Sequence, residues 1–279
     1  MFRQIDVNAE DQYPSRQTAD ESVIFRKCPV AQSENGWLGN YVAAGYHLHR
    51  RFNDIDYSEL VDIATQYGDG DGVLLNKEPD SDQIRSILGV HRIFEFGDIV
   101  DKCERLAAEV LGDDIYLHQS RINFKYPGGS GWHAHSDFET WHTQDGMPRM
   151  ECCTIMLALT DNDESNGPIE MLSHSHNYYF SCAKQEHTGA DDEFSNQTEG
   201  LPSEEIVRRY LGSESAYIPM FCKAGDALVF DCNTLHRSFS NFGDTNRTNL
   251  YLVYNKVSNM LQQSNRTRPK QMAEDFIKP

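Results

Sequence analysis

From Ile115 onward the apolar residues recur at every second position, and this period of two constrains the fold more than any other feature of the chain. A strand turns successive side chains to opposite faces, so such a pattern buries one face of each segment. Segments 114–125, 150–160, 169–173, 178–182, 216–221, 226–231 and 249–256 all carry it, separated by Gly, Asn, Asp and Pro. The earlier part of the chain reads differently. Residues 1–50 are polar and poorly patterned and read as an N-terminal arm lying over the rest. Residues 56–66 have the spacing of a short amphipathic helix, which GDGDG at 68–72 stops. A second helix follows Gly97, with Asp98 as its N-cap, Ile99, Cys103, Leu106 and Val110 at helical spacing, and Gly112 as its C-cap. Many strands after a helical start predict a mainly β chain with flanking helices: a double-stranded β-helix, or jelly-roll, cupin-like barrel, in a single domain over 1–279. The polar stretch 183–215, with one short helix at 203–211, reads as a lid insertion or an inert surface loop.

Composition narrows the function. A net charge of −18 opposes nucleic acid and anionic membrane surfaces, and no apolar run approaches the length that crosses a bilayer. The N-terminus lacks the basic start and apolar core of a signal peptide. Its 7 cysteines, Cys152 and Cys153 among them, show no paired spacing and suit a reducing cytoplasm.

The chemistry gathers in WHAHSDFETWHTQDGMPR at 132–149, which holds His135 and Asp137. On a strand these two point to the same side and can grip one ion together. His236, after the apolar pattern at 227–230, is the best third ligand. Two histidines and a carboxylate leave half of an octahedron open, which suits Fe(II) that must bind a co-substrate and oxygen together; a structural zinc site is closed. The His-x-Asp pair alone is a weak signal, and the distal histidine and Arg247 strengthen it. The planar guanidinium of Arg247 suits two parallel hydrogen bonds to a carboxylate such as the far end of 2-oxoglutarate, although a surface ion pair is the plainer alternative. Thr154 can add a hydroxyl to that carboxylate, and Lys125 a charge. His133, His142, His174 and His176 compete as ligands; His133 with His135 would form a cupin-like His-x-His pair. Cys232 suits zinc better than iron. Trp141, Phe230 and Tyr251 either fill the core or form an aromatic box for a delocalised cation. Gln119 can orient a polar ring edge, and Arg268 can meet a substrate carboxylate.

YPSRQ at 13–17, EPDSDQIRSILGVH at 78–91, HQSRINFK at 118–125, HSDFETWHTQDGMPRM at 135–150, NGPIEMLSHSH at 166–176, VFDCNTLH at 229–236, LVYNKVSN at 252–259 and RP at 268–269 together resemble the phytanoyl-CoA dioxygenase superfamily and, within it, the ectoine-hydroxylating branch. The resemblance implies Fe(2+) as cofactor, held by His135, Asp137 and His236 as the catalytic ligands, with 2-oxoglutarate and O2 as co-substrates. It implies that Arg247, Thr154, Lys125 and Trp132 hold 2-oxoglutarate, and that Gln119, Trp141, Phe230, Tyr251 and Arg268 line a pocket for ectoine or a similar small zwitterion. Hydroxylation of ectoine to 5-hydroxyectoine is the implied reaction, and a homodimer is compatible with it. A hydroxylase of a free amino acid such as L-proline is the runner-up; a cupin-like binding protein without oxygen chemistry and a zinc hydrolase are further alternatives. Trp132 and Tyr251 stand where that family carries phenylalanine, and the connection from Lys125 to His135 is shorter than its usual one.

Overall fold

The structure, a computed structural model, describes residues 3–4, 23–25, 36–53, 57–68, 70, 72–78, 81–112, 114–180 and 204–261. Along the chain run strands β1 (Arg3–Gln4) and β2 (Val23–Phe25), helix α1 (Trp37–Ala44), β3 (Tyr46–His49), α2 (Ser58–Tyr67), β4 (Leu74–Lys77), β5 (Ile84–Leu88), α3 (Gly97–Leu111) and β6 (Ile115–Lys125). There follow β7 (Trp132–His135), α4 (Asp137–Asp145), β8 (Cys152–Ala158), β9 (Ile169–Leu172), β10 (Tyr178–Phe180), α5 (Glu204–Leu211), β11 (Tyr217–Pro219), β12 (Ala227–Asp231), β13 (His236–Ser238) and β14 (Arg247–Lys256). A 7-stranded antiparallel sheet has the order β3-β12-β8-β14-β6-β5-β4, and a 4-stranded sheet has the order β11-β9-β13-β7. The two pack face to face as a double-stranded β-helix.

Register explains which side chains face the interior, because cross-strand partners lie on one side of a sheet. Tyr46, Phe230, Thr154, Val253 and Gln119 are partners across β3, β12, β8, β14 and β6 and form one inward row. Leu48, Leu228, Met156, Tyr251 and Arg121 form the next. Met156, Leu228, Phe230 and Tyr251 pack against Ile169 and Met171 of the smaller sheet. The intervening residues, Val229, Ile155 and Leu252 among them, face the other way and share a core with Ile99, Cys103, Leu106 and Ala107 of α3. Each large apolar side chain in that core contributes roughly 1.5–3 kcal/mol by leaving water.

The expected arm over residues 1–50 is corrected within its described part, since α1 and β3 belong to the body and β3 is the end strand of the large sheet. Every residue of β3 is half-buried, so it carries no period of two that a sequence reader could see. Residues 5–22 and 26–35 lie outside the described residues. The hairpin of β4 and β5 was not anticipated either. Helix α3 begins at Gly97, so Asp98 sits in the first turn, where its charge favours the helix dipole, and not at the N-cap. Gly112 closes it as expected, its N–H bonded to Ala108 O at 2.8 Å. Of the 183–215 segment, α5 docks Val207 against Leu172, Phe180 and Leu235, while 183–203 lies outside the described residues. No helix among the described residues is long and apolar enough to cross a membrane.

Two histidines outside the cavity make stability depend on pH. On β3 the rings of His47 and His49 are 4.6 Å apart, and burial, then the His47 charge, holds His49 down to about 4. Burial, then Arg92, holds His91 at about 4 as well. The unfolded chain therefore binds more protons than the folded one below about pH 6.5, so stability is full above that value and falls as the pH drops towards about 4. The urea midpoint is expected to fall between about pH 6.5 and 4.5, and His49→Phe to flatten the fall; equal midpoints at both pH values would contradict this.

Candidate active site

The chain brings the three expected ligands together, by a route that differs from the expected one. Strand β7 ends at His135, Ser136 is extended, and Asp137 is the first residue of α4. Asp137 thus reaches the centre from a helix N-terminus and not as the next inward residue of the same strand. A Ser at the N-cap and acidic Asp137 and Glu139 in the first turn favour a helix there. The N–H of Phe138 bonds Cys232 O at 2.8 Å, which ties this turn to the segment that leads into His236. His236 on β13 is the direct cross-strand partner of His135 on β7, with ring centroids 4.3 Å apart.

Both rings are oriented by backbone. His135 Nδ1 lies 2.7 Å from His133 O, and His236 Nδ1 lies 3.0 Å from Thr234 O. Each Nδ1–H donates to its carbonyl, so each Nε2 keeps its lone pair. Both Nε2 atoms lie 3.8 Å from the same oxygen, Asp137 Oδ1, too far for a hydrogen bond but apt for sharing one cation. The three donor atoms fall within 4.8 Å of one another, and no other such group of His, Cys, Asp or Glu occurs among the described residues. Burial, then the neighbouring His236, pushes His135 down to about 3, keeping the imidazole neutral as a ligand must be. Of the competing histidines, His133 is exposed and offers its carbonyl, His142 meets Met147 O at 2.7 Å, and His176 meets Val42 O at 3.0 Å.

Thr154 donates to the other Asp137 oxygen, Oδ2, at 3.3 Å. It stands in the inward row, with its hydroxyl on the candidate carboxylate ligand. Removing a bond of this outer kind costs roughly 10- to 100-fold in metal affinity. Thr154→Val is therefore expected to weaken Co(II) binding about tenfold at unchanged fold; an unaltered titration would refute that role.

Arg247 opens β14 opposite Lys125, the last residue of β6. Its side chain is fully buried, Nη1 donates to Gly167 O at 2.8 Å, and its buried Nε has no partner among the described residues. A buried guanidinium with an unmet donor fits a carboxylate arriving from outside. Lys125 Nζ is already held by Ser238 Oγ at 2.8 Å, Phe239 O at 2.5 Å and Gly167 O at 3.2 Å. Burial, then the charges of Arg247 and Arg85, pushes it down to about 5, so it adds little positive charge at neutral pH. Arg85, bonded to Glu78 at 2.8 Å and Ser130 at 2.9 Å, lies over the Trp132 ring at 4.5 Å. Trp132 is thereby fixed at the same corner.

Phe230 places its ring 5.1 Å from that of His236, and Gln119 lies further along the same inward row. Tyr251 belongs to the next row. Trp141, on α4, is buried with Phe138, Met147 and Tyr179 and meets His118 edge-on at 5.2 Å. Arg268 lies outside the described residues. Sequence reasoning missed Arg121, whose guanidinium sits 5.3 Å over the Tyr251 ring with Nε unpartnered and whose charge reaches His135. The signal was present, because Arg121 alternates with Gln119 and Asn123 on one strand face.

A two-histidine, one-carboxylate set inside a double-stranded β-helix defines the class of mononuclear non-haem iron oxygenases. Residues 56–249 match the model of the phytanoyl-CoA dioxygenase (PhyH) family, and the chain belongs to that family. It is 33% identical over 274 residues to the ectoine dioxygenase of Bordetella bronchiseptica, covering 91% of this chain and 88% of that protein. With the ectoine dioxygenase of Stutzerimonas stutzeri it shares 42% identity over 201 residues, 67% of this chain but only 63% of the relative's length. The apoform crystal structure of EctD from S. alaskensis superposes with a TM-score of 0.79 at 30% identity, over 94% of each chain. The EctD structure with 2-oxoglutarate and 5-hydroxyectoine gives 0.74 at 31% identity, over 95% of this chain and 94% of that one.

Proposed function

We propose that this chain is a single-domain Fe(II)- and 2-oxoglutarate-dependent dioxygenase that hydroxylates ectoine to 5-hydroxyectoine. The convergence of His135, Asp137 and His236, together with a buried, incompletely bonded Arg247 on the inward face of β14, carries this reading. The ectoine dioxygenases among its relatives, and the EctD structures bound to iron or to 2-oxoglutarate and 5-hydroxyectoine, support it.

In this reading bound iron and 2-oxoglutarate supply the oxidising power, O2 being consumed as the oxo acid loses carbon dioxide and an oxygen atom passes to a substrate C–H bond. The protein supplies placement. His135, Asp137 and His236 hold the ion from one side, with their orientation set by the carbonyls of His133 and Thr234 and by the Thr154 hydroxyl. Arg247 pairs with the distal carboxylate of the oxo acid through Nε and its terminal nitrogens. Lys125 acts on the same corner by holding Gly167, Ser238 and Phe239, and Trp132 walls it. Phe230, Tyr251 and Trp141 present ring faces to the amidinium of ectoine, Gln119 bonds its polar edge, and Arg121 and Arg268 meet its carboxylate. The net charge of −18 opposes nucleic acid and acidic lipid as partners, and the unpaired spacing of the 7 cysteines supports a cytoplasmic enzyme acting on a small solute, with a homodimer compatible.

Succinate release measured side by side with ectoine and with L-proline tests the substrate. Ectoine-dependent turnover with formation of 5-hydroxyectoine is expected; turnover with proline and none with ectoine would replace this reading by an amino-acid hydroxylase.

A further inference from the structure

We propose that Tyr46 is a specificity-determining residue, a strut that joins the two sheets at the β3 end of the cavity beside Phe230 and limits the size of the substrate. The proposal rests on the reading of the cavity as the hydroxylation site.

The backbone entering Tyr46 is held in place. Gly45 ends α1 with φ +89°, in the left-handed region. A Cβ there would come within 2.5 Å of His176 Nδ1 and 2.7 Å of Thr234 Oγ1. Its carbonyl accepts from the N–H of Asp231 at 2.9 Å and from Thr234 Oγ1 at 2.9 Å. Thr234 is the residue whose own carbonyl orients His236. Position 46 is therefore anchored to the segment that carries a metal-ligating histidine.

From that anchor the side chain turns inward. Tyr46 is the cross-strand partner of Phe230, which is in turn the partner of Thr154. Among the described residues no strand lies beyond β3 in the large sheet, so Tyr46 is the last described side chain of the row. Its hydroxyl lies 2.9 Å from Ser173 Oγ, in the segment directly after β9 of the facing sheet. Met171 of β9 is the partner of His236. Tyr46 thus spans from one sheet to the other at the level of the candidate centre, and Phe230 is bracketed between it and Thr154. The ring packs with the inner cluster, so a phenylalanine would retain the packing and lose only the cross-sheet bond. With the strut in place Phe230 cannot withdraw outward, so its ring stays against that of His236, 5.1 Å between centroids, and the cavity wall there keeps its shape.

The test uses the full chain loaded with Fe(II), with Tyr46→Phe, Ser173→Ala and Tyr46→Ala compared with wild type on ectoine and on an ectoine analogue bearing one added ring methyl group. Tyr46→Phe and Ser173→Ala are expected to raise KM for ectoine about three- to tenfold, the factor of one lost hydrogen bond, while kcat moves much less. Tyr46→Ala is expected to shift the kcat/KM ratio towards the methylated analogue by about tenfold. Uncoupled succinate release without substrate is expected to rise about threefold in Tyr46→Ala, because the opened edge admits water. If wild type turns over ectoine and the variants change only the melting temperature, Tyr46 is structural glue and the proposal is overturned. If wild type does not turn over ectoine, the substrate reading fails separately, and unaltered uncoupled release in Tyr46→Ala is then the result that overturns this one.

Discussion

His236→Ala is expected to lower substrate-dependent turnover by about three orders of magnitude and to leave the purified protein with little retained iron. The three donor atoms lie within 4.8 Å of one another, with both Nε2 atoms 3.8 Å from Asp137 Oδ1, so the loss of one leaves two donors with no third among the described residues to replace it. The fold should survive. Strand β13 pairs with β7 and β9 through its backbone, which the substitution leaves intact. Metal content after dialysis, read beside the urea midpoint, separates the two effects: low iron at a near-normal midpoint is the expected pair. Full iron occupancy in His236→Ala would remove His236 from the ligand set and the oxygenase reading with it. Asp137→Asn, which keeps the shape and drops the charge, should follow the same pattern.

Arg247→Met is expected to raise KM for 2-oxoglutarate about a hundredfold, corresponding to about 3 kcal/mol for losing one partner of a buried, hydrogen-bonded charge pair. Nearby cations compensate poorly. Lys125 spends its donors on Ser238, Phe239 and Gly167 and is held near neutral by burial. Arg85 is paired with Glu78. A 2-oxo acid without the distal carboxylate supplies the chemical control, because wild type should discriminate strongly against it and Arg247→Met should not. Arg247→Lys should fall between, since an ammonium is a point charge without the planar fork. Unchanged discrimination in Arg247→Met would place the distal carboxylate elsewhere.

The sequence marked the long strands as strands, but β8, β12 and β14 are buried on both sides, so runs such as 155–159 and 227–230 are continuously apolar and do not tell the inward face from the outward one; the expected burial of a single face is corrected there, and the register supplies the faces. The sequence revealed the candidate metal ligands as types at a spacing, but it misplaced Asp137 on a strand, because i and i+2 also converge when a chain turns from a strand into a helix with serine at the N-cap position. Strand β3 was illegible for the opposite reason: four half-buried residues on an end strand leave no alternation to read. Arg121 shares a strand face with Gln119, which the sequence did single out, and its position over the Tyr251 ring shows what that alternation meant.

Strand β3 precedes residue 56, where the family match begins, and β14 runs past residue 249, where it ends. A fragment trimmed to the matched stretch would strip β12 of the neighbour that pairs with Ala227 to Phe230, and would leave that central apolar ribbon with bare amide and carbonyl groups along one side. Such a ribbon recruits further strands from other molecules. Clumping of a minimal expression fragment would then follow from the missing rung, even with every candidate metal ligand retained.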